Sequence, residues 1–68
     1  MPNMVRVISG DLFSVGYKVN NLYIKFNSGA TYIFYNVPHY LFEGLLGAPS
    51  KGKYFHSNIK DRYRFSRI

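Results

Sequence analysis

Six cations crowd the last quarter of the chain: Lys51, Lys53, Lys60, Arg62, Arg64 and Arg67, set against the single carboxylate of Asp61. The first fifty residues hold only Arg6, Lys18 and Lys25 against Asp11 and Glu43, so five of the six charges of net excess lie beyond residue 50. Tyr54, Phe55, Tyr63 and Phe65 are interleaved with the cations. Basic groups neutralise phosphates and release counterions, and rings stack on unpaired bases for roughly 1–3 kcal/mol each. This mixture is the chemistry of a nucleic-acid surface. The competing reading is a solvated basic face whose rings turn into a core.

A sharper pattern is Ala48-Pro49-Ser50-Lys51-Gly52-Lys53. If a helix starts at Ser50, its free N–H groups and dipole favour an anion. Ser50 adds a hydroxyl, Lys51 and Lys53 add charge, and Gly52 lets a phosphate approach the backbone. The plainer alternative is a serine cap, with Gly52 packed against its surroundings.

Catalytic groups are sparse. His39 and His56 are the two histidines, and no spacing rule joins them into an acid–base pair. Asp11, Glu43 and Asp61 are scattered, which argues against a carboxylate pair or a two-metal site. With no cysteine, two histidines are too few for a structural zinc site, and no glycine-rich phosphate loop follows a strand. The expectation is a non-enzyme without cofactor or metal.

The elements that must carry these side chains divide at Val37. Met4 to Ile8 reads as a short extended lead-in. From Leu12 to Val19 the residues Phe13, Val15, Tyr17 and Val19 share one parity, the period-two pattern of a half-buried strand. Asn20-Asn21 suits a tight turn. In a second strand, Leu22 to Phe26, Leu22, Ile24 and Phe26 lie opposite Tyr23 and Lys25. Asn27-Ser28-Gly29 turns the chain into a third strand, Ala30 to Asn36, with Tyr32 and Phe34 on one face and Thr31, Ile33 and Tyr35 on the other. Pro38 then opens a helix whose Leu41, Phe42, Leu45 and Leu46 form one apolar face, stopped by Gly47 and Pro49. A second helix, capped by Ser50, runs to about Asp61 with Phe55, Ile59 and Tyr63 as its stripe. Gly52 inside it disfavours a helix by up to ~1 kcal/mol relative to alanine. The tail Tyr63-Arg64-Phe65-Ser66 alternates again and can add a strand at the sheet edge. The expected fold is a single α+β domain over residues 1–68: a three- or four-stranded antiparallel meander with two short helices on one face.

Composition bounds the rest. A basic chain of 68 residues with a pI near 9.8 is one small domain. Without disulfides such a chain must find its stability elsewhere, and its seven tyrosines and six phenylalanines supply large buried surfaces for few rotatable bonds. Self-association is a second route, which leaves a homodimer open. No apolar run approaches the ~18–20 residues of a membrane span, and the N-terminal residues lack the apolar stretch of a signal peptide. A cytoplasmic protein with no membrane partner is the expectation.

Val15-Gly16-Tyr17, Leu22-Tyr23-Ile24-Lys25-Phe26, Ser28-Gly29 with Tyr32, Val37-Pro38, Leu45-Leu46, Ala48-Pro49-Ser50-Lys51-Gly52 with Tyr54-Phe55, and then Ile59 and Tyr63 follow one another in a distinctive order. In this order and spacing the sequence resembles the small KTSC domain, found at the C-terminus of some lysyl-tRNA synthetases, over about residues 9–63. The family's central Tyr-x-Tyr stands here as Tyr32-Ile33-Phe34, so the second hydroxyl is absent and the position mainly supplies a ring. The resemblance implies a bacterial or phage domain, alone or as an appendage, for which RNA binding has been suggested.

The functional expectation is a non-catalytic binding module with RNA, or another nucleic acid, as partner. Lys51, Lys53, Lys60, Arg62, Arg64 and Arg67 would contact phosphates, Tyr54, Tyr32 and Tyr35 would stack on bases, and Ser50, Lys51, Gly52 and Lys53 would form an anion site. Tyr17, Phe26, Leu41, Leu45, Phe55 and Ile59 are expected to be core. The alternative is a protein-interaction or self-associating module, for which an acidic protein would suit the charge.

Overall fold

A computed structural model describes all 68 residues. Its elements are β1 (Val5–Arg6), β2 (Leu12–Lys18), β3 (Asn21–Phe26), β4 (Thr31–Phe34), α1 (His39–Gly47), α2 (Lys51–Asn58) and β5 (Phe65–Arg67). The strands form one antiparallel sheet in sequence order, β1-β2-β3-β4-β5. The α+β class and the meander are as expected, but the sheet has five strands rather than three or four. The lead-in is itself paired, with Val5 opposite Val15 and Arg6 opposite Ser14. The tail pairs through Phe34 opposite Phe65 and Tyr32 opposite Arg67.

Alternation assigns the two faces. Val15, Ile24 and Tyr32 are successive cross-strand partners, as are Tyr17, Leu22 and Phe34, and these point toward the helices. They meet Val37, Leu41, Leu45, Phe55 and Ile59 in one core, where Leu12, Val15, Leu22, Ile24, Val37, Leu45 and Ile59 have no exposed surface. Of the expected core residues, Leu41, Leu45, Phe55 and Ile59 are buried, whereas Tyr17 and Phe26 pack half-buried against them.

One parity assignment is corrected. The register shifts between Leu12 and Ser14, so Phe13 is the extra residue of a bulge. Leu12 turns inward beside Phe26, and Phe13 goes to the outer face. There the Arg6 guanidinium lies 3.9 Å from its ring centroid and the Lys25 ammonium 5.2 Å. Simple alternation from Val15 cannot register an inserted residue. The same outer face accommodates the N-terminal residues: a Cβ on Gly16 would stand 2.7 Å from the Met4 sulfur and 3.0 Å from the Asn3 carbonyl oxygen, so glycine is what lets that segment lie against the sheet.

The first hairpin turn also differs, being Val19-Asn20 closed by the Lys18–Asn21 pair rather than Asn20-Asn21. Both turn residues have positive φ, 50° and 66°, as a two-residue hairpin matching the strand twist requires. Asparagine tolerates that region, but a β-branched residue does not, and the left-handed conformation costs an L-residue about 1–2 kcal/mol. Val19 is 78% exposed, so burial offsets little of that cost. Val19→Asn is therefore expected to stabilise the protein by about 1 kcal/mol, raising the thermal midpoint by roughly 4–8 °C in a domain of this size. An unchanged midpoint would show that the turn is not strained.

Both helices end where local hydrogen bonds dictate. α1 begins after Pro38, carries an i,i+4 contact of 2.8 Å between His39 Nδ1 and Glu43 Oε1, and closes with the Ala48 N–H donating to Leu45 O. α2 starts at its serine cap as expected but stops at Asn58, short of Asp61. The N–H groups of Ile59 and Lys60 both donate to Phe55 O, Asp61 takes a φ of 63°, and Arg62 Nε donates to Ser57 O at 3.0 Å. This compact reversal frees residues 65–67 to join the sheet. No helix is long and apolar enough to cross a membrane.

Candidate ligand groove

The helices cover the inner face of the sheet unevenly. Beyond α2, over β4 and β5, the face lies open as a groove of about 800 Å³. Its floor is aromatic. Tyr32 and Phe34 come from β4 with equal parity, Phe65 stands opposite Phe34, Phe26 ends β3, and Phe55 descends from α2. Ring centroids are 5.4 Å apart for Phe26–Phe55, 5.5 Å for Phe34–Phe55, 5.7 Å for Tyr32–Phe65 and 5.8 Å for Phe34–Phe65. These spacings lie within the range of favourable edge-to-face and offset packing, so the rings hold one another in place. Buried Phe34 and Phe55 anchor the cluster, and Phe65 presents 55% of its surface.

The rim is polar and mixed in charge. Lys60 and Arg67 line it, together with Asp11, Asn27, Ser28, His56 and Asp61. His56 Nε2 lies 3.7 Å from Asp11 Oδ2, and its ring packs on Phe55 at 5.5 Å. Asn27 is fixed by its side-chain amide donating to Ser9 O at 3.0 Å and by its own N–H donating to Asp11 O at 2.9 Å. The two contacts between basic groups and carboxylates within 4 Å are both made by histidines, so neither Lys60 nor Arg67 is engaged in an ion pair.

The six C-terminal cations do not form one platform. Lys60 and Arg67 converge on the groove, and Arg62 lies beside Lys60 in a shallow neighbouring hollow, its Nε–H donating to Ser57 O. Arg64 alternates to the other side of the sheet from Phe65 and Arg67. The ammonium of Lys51 folds back to donate to Ala48 O at 2.9 Å. Lys53 stays exposed near the start of α2.

At that helix start the serine cap is present, Ser50 Oγ accepting from the Lys53 N–H at 3.4 Å. Gly52 is not tightly packed: a Cβ there would stand 3.6 Å from Asp11 Cβ and 4.0 Å from Asp11 Oδ2. An internal carboxylate thus already stands where the Ser50, Lys51, Gly52 and Lys53 pattern suggests an external anion, and it complements the helix dipole.

The three tyrosines also separate. Tyr32 lies in the groove floor. Tyr35 has the opposite parity and is tied to the β5 side by its N–H donating to Arg64 O at 2.9 Å. Tyr54 is wedged between the helices against Gly44, whose Cβ would stand 2.8 Å from Tyr54 Cζ. Burial, followed by the neighbouring Tyr40 phenol, raises the Tyr54 hydroxyl above the usual phenol range. Phe26 and Phe34 carry no binding expectation from the sequence, and Phe55 and Phe65 stand there only as rings interleaved with the cations, not among the assigned stacking residues. The tail's alternation was the available signal, since it sets Phe65 and Arg67 on one face.

Comparison with known proteins gives a consistent picture. The family model for the KTSC domain matches residues 8–63. A KTSC domain protein of Yersinia pestis, known from its crystal structure, superposes with a TM-score of 0.93 at 31% identity, covering 97% of this chain and 96% of that one. The lysine–tRNA ligase of Nostoc punctiforme is 39% identical over 56 residues, which are 82% of this chain but 10% of the ligase. A protein of Tsukamurella paurometabola is 42% identical over 43 residues, 63% of this chain and 64% of that protein. The chain thus spans about a tenth of the ligase it matches.

Proposed function

Given that the chain belongs to the KTSC domain family, we propose that it is a non-catalytic binding module that holds unpaired nucleotides of an RNA, or of another single-stranded nucleic acid, in the groove over β4 and β5. The observation that carries this reading is the aromatic floor of Tyr32, Phe34 and Phe65 with two unpaired cations, Lys60 and Arg67, at its rim. Rings accept the faces of bases irrespective of sequence, and the cations meet the flanking phosphates. A groove of about 800 Å³ falls within the ~300–1,000 Å³ span of small-ligand pockets, a size for individual nucleotides rather than a duplex. The dispersal of the other cations argues the same way, because a duplex-binding face needs a continuous basic stripe. The relatives named as lysine–tRNA ligases, whose names place them with a tRNA substrate, support RNA as the partner.

Two phosphate contacts predict a shallow salt dependence. For single strands the slope of log K against log salt is about −0.7 per phosphate, so about −1.4 is expected here. Anisotropy titrations of a labelled single-stranded RNA across a salt series measure it. Lys60→Ala and Arg67→Ala should each remove about 0.7 from the slope, while Arg64→Ala should leave it nearly unchanged. Equal losses for all three variants would instead indicate a diffuse basic surface and sink the groove as the site.

A further inference from the structure

β5 is an edge strand, and its hydrogen-bonding pattern is legible from its partner. The Tyr35 N–H donates to Arg64 O and the Ile68 N–H to Thr31 O, both at 2.9 Å, and Ile33 is registered with Ser66. Arg64, Ser66 and Ile68 therefore direct their backbone groups toward β4. Phe65 and Arg67 direct theirs outward, leaving two N–H groups and two carbonyls along the open edge. All three residues of β5 are exposed, and Phe65 and Ile68 present 55% and 58% of their surfaces. Proteins commonly blunt such an edge by keeping the strand short or with a proline, an inward charge or a covering helix; β5 is three residues long and sets Arg67 on its inner face, but it contains no proline and neither helix is placed over it.

We propose that the β5 edge pairs with the β5 edge of a second copy of this chain, antiparallel about a two-fold axis through Ser66, to give a continuous ten-stranded sheet. The edge is self-complementary in three respects. With Ser66 opposite its own symmetry mate, the outward groups of Phe65 face those of Arg67 in the other copy, and all four donors and acceptors on each edge find partners. In the same register Phe65 lies directly across from Arg67 on the inner face and Arg64 from Ile68 on the outer face. No arginine is directly opposite another, and each Phe65–Arg67 pair is a cation–π contact. Finally, the axis runs perpendicular to the sheet, so both sets of helices lie on one side. The part of each inner face nearest the axis is the part the helices leave open, so the two grooves adjoin as one trough without the helices colliding. This inference stands on backbone geometry and is independent of what the groove binds.

Three-residue strands make a small interface, so dissociation on the order of 0.1 mM is expected, as for contacts burying less than ~1,200 Å². Sedimentation of the 7.9 kDa chain in high salt, which strips bridging polyanions, should show the mean mass climbing toward that of a dimer as concentration approaches roughly 1 mM. Amide exchange of the unmodified chain identifies the edge used. Phe65 and Arg67 should gain protection as concentration rises, while Ser66 and Ile68, whose N–H groups face β4, are protected throughout. Arg67→Pro removes an outward N–H and should abolish the dimer, whereas Arg67→Ala keeps that N–H and should only weaken it. A chain that stays monomeric at the highest concentration overturns the proposal. So does a dimer formed without added protection at Phe65 and Arg67, or one that survives in folded Arg67→Pro.

Discussion

Phe65→Ala is expected to lower the affinity for single-stranded RNA by about 5- to 150-fold, the range given by losing roughly 1–3 kcal/mol of base stacking. Among the floor rings Phe65 is the most informative to remove. Phe34 and Phe55 are buried core residues, so deleting either would cost stability and confuse the reading. Phe65 is more than half exposed, and its contacts with Tyr32 and Phe34 are rim contacts at 5.7 and 5.8 Å. The folded state should survive its loss. The control is Tyr40→Ala, which deletes a ring 69% exposed on α1 and absent from the groove lining. Binding should be unaffected there. Measurements belong at protein concentrations well below those that favour dimerisation, so that Phe65's place beside the β5 edge does not enter. Unchanged affinity in Phe65→Ala would remove base stacking in this groove from consideration. Equal losses in both variants would point to non-specific adhesion of rings.

The meander was legible because each of its strands carries alternation over several residues and each turn carries asparagine or glycine. The tail's alternation over residues 63–66 gave notice of a strand at the sheet edge, found as β5, whereas β1, two residues long, carries too little pattern to show more than an extended lead-in, and its pairing is set by tertiary contact. The Phe13 bulge was hidden for a related reason: alternation fixes parity only while the register holds. For the site, the sequence localised charge correctly to the C-terminal quarter, but linear clustering is not spatial clustering. Strand alternation sends Arg64 and Arg67 to opposite sides, and Lys51 is drawn to the end of α1. The rings expected to stack are Tyr54, Tyr32 and Tyr35, whereas the groove exposes Phe65, and Tyr54 sits half-buried against α1. Nothing local to residues 54 or 65 distinguishes these fates; they follow from what packs across from each.

Two of the three helical glycines, Gly44 and Gly52, make that point measurable. Propensity alone predicts that glycine to alanine stabilises any helix interior by about 0.5–1 kcal/mol. At Gly52 propensity should prevail, because the new methyl would meet Asp11 Cβ at 3.6 Å, an ordinary van der Waals contact. At Gly44 it should fail. A Cβ there would stand 2.8 Å from Tyr54 Cζ and 3.1 Å from Cε2, with the hydroxyl oxygen closer still. Overpacking of this kind costs about 1–3 kcal/mol. Gly44→Ala is therefore expected to lower the thermal midpoint by roughly 5–20 °C while Gly52→Ala raises it by a few degrees. Tyr54→Leu in the Gly44→Ala background should recover part of the loss, since the clash is with the ring. The phenol supplies an independent check on this packing. Its raised titration means that the folded chain holds the proton longer than the unfolded chain does. As pH rises past about 10, where a free tyrosine ionises, the unfolded state loses its proton first and stability falls. Tyr54→Phe should flatten that alkaline decline. If Gly44→Ala instead stabilises as Gly52→Ala does, the helix pair has room that this geometry denies, and Tyr54 is free to leave the α1–α2 seam.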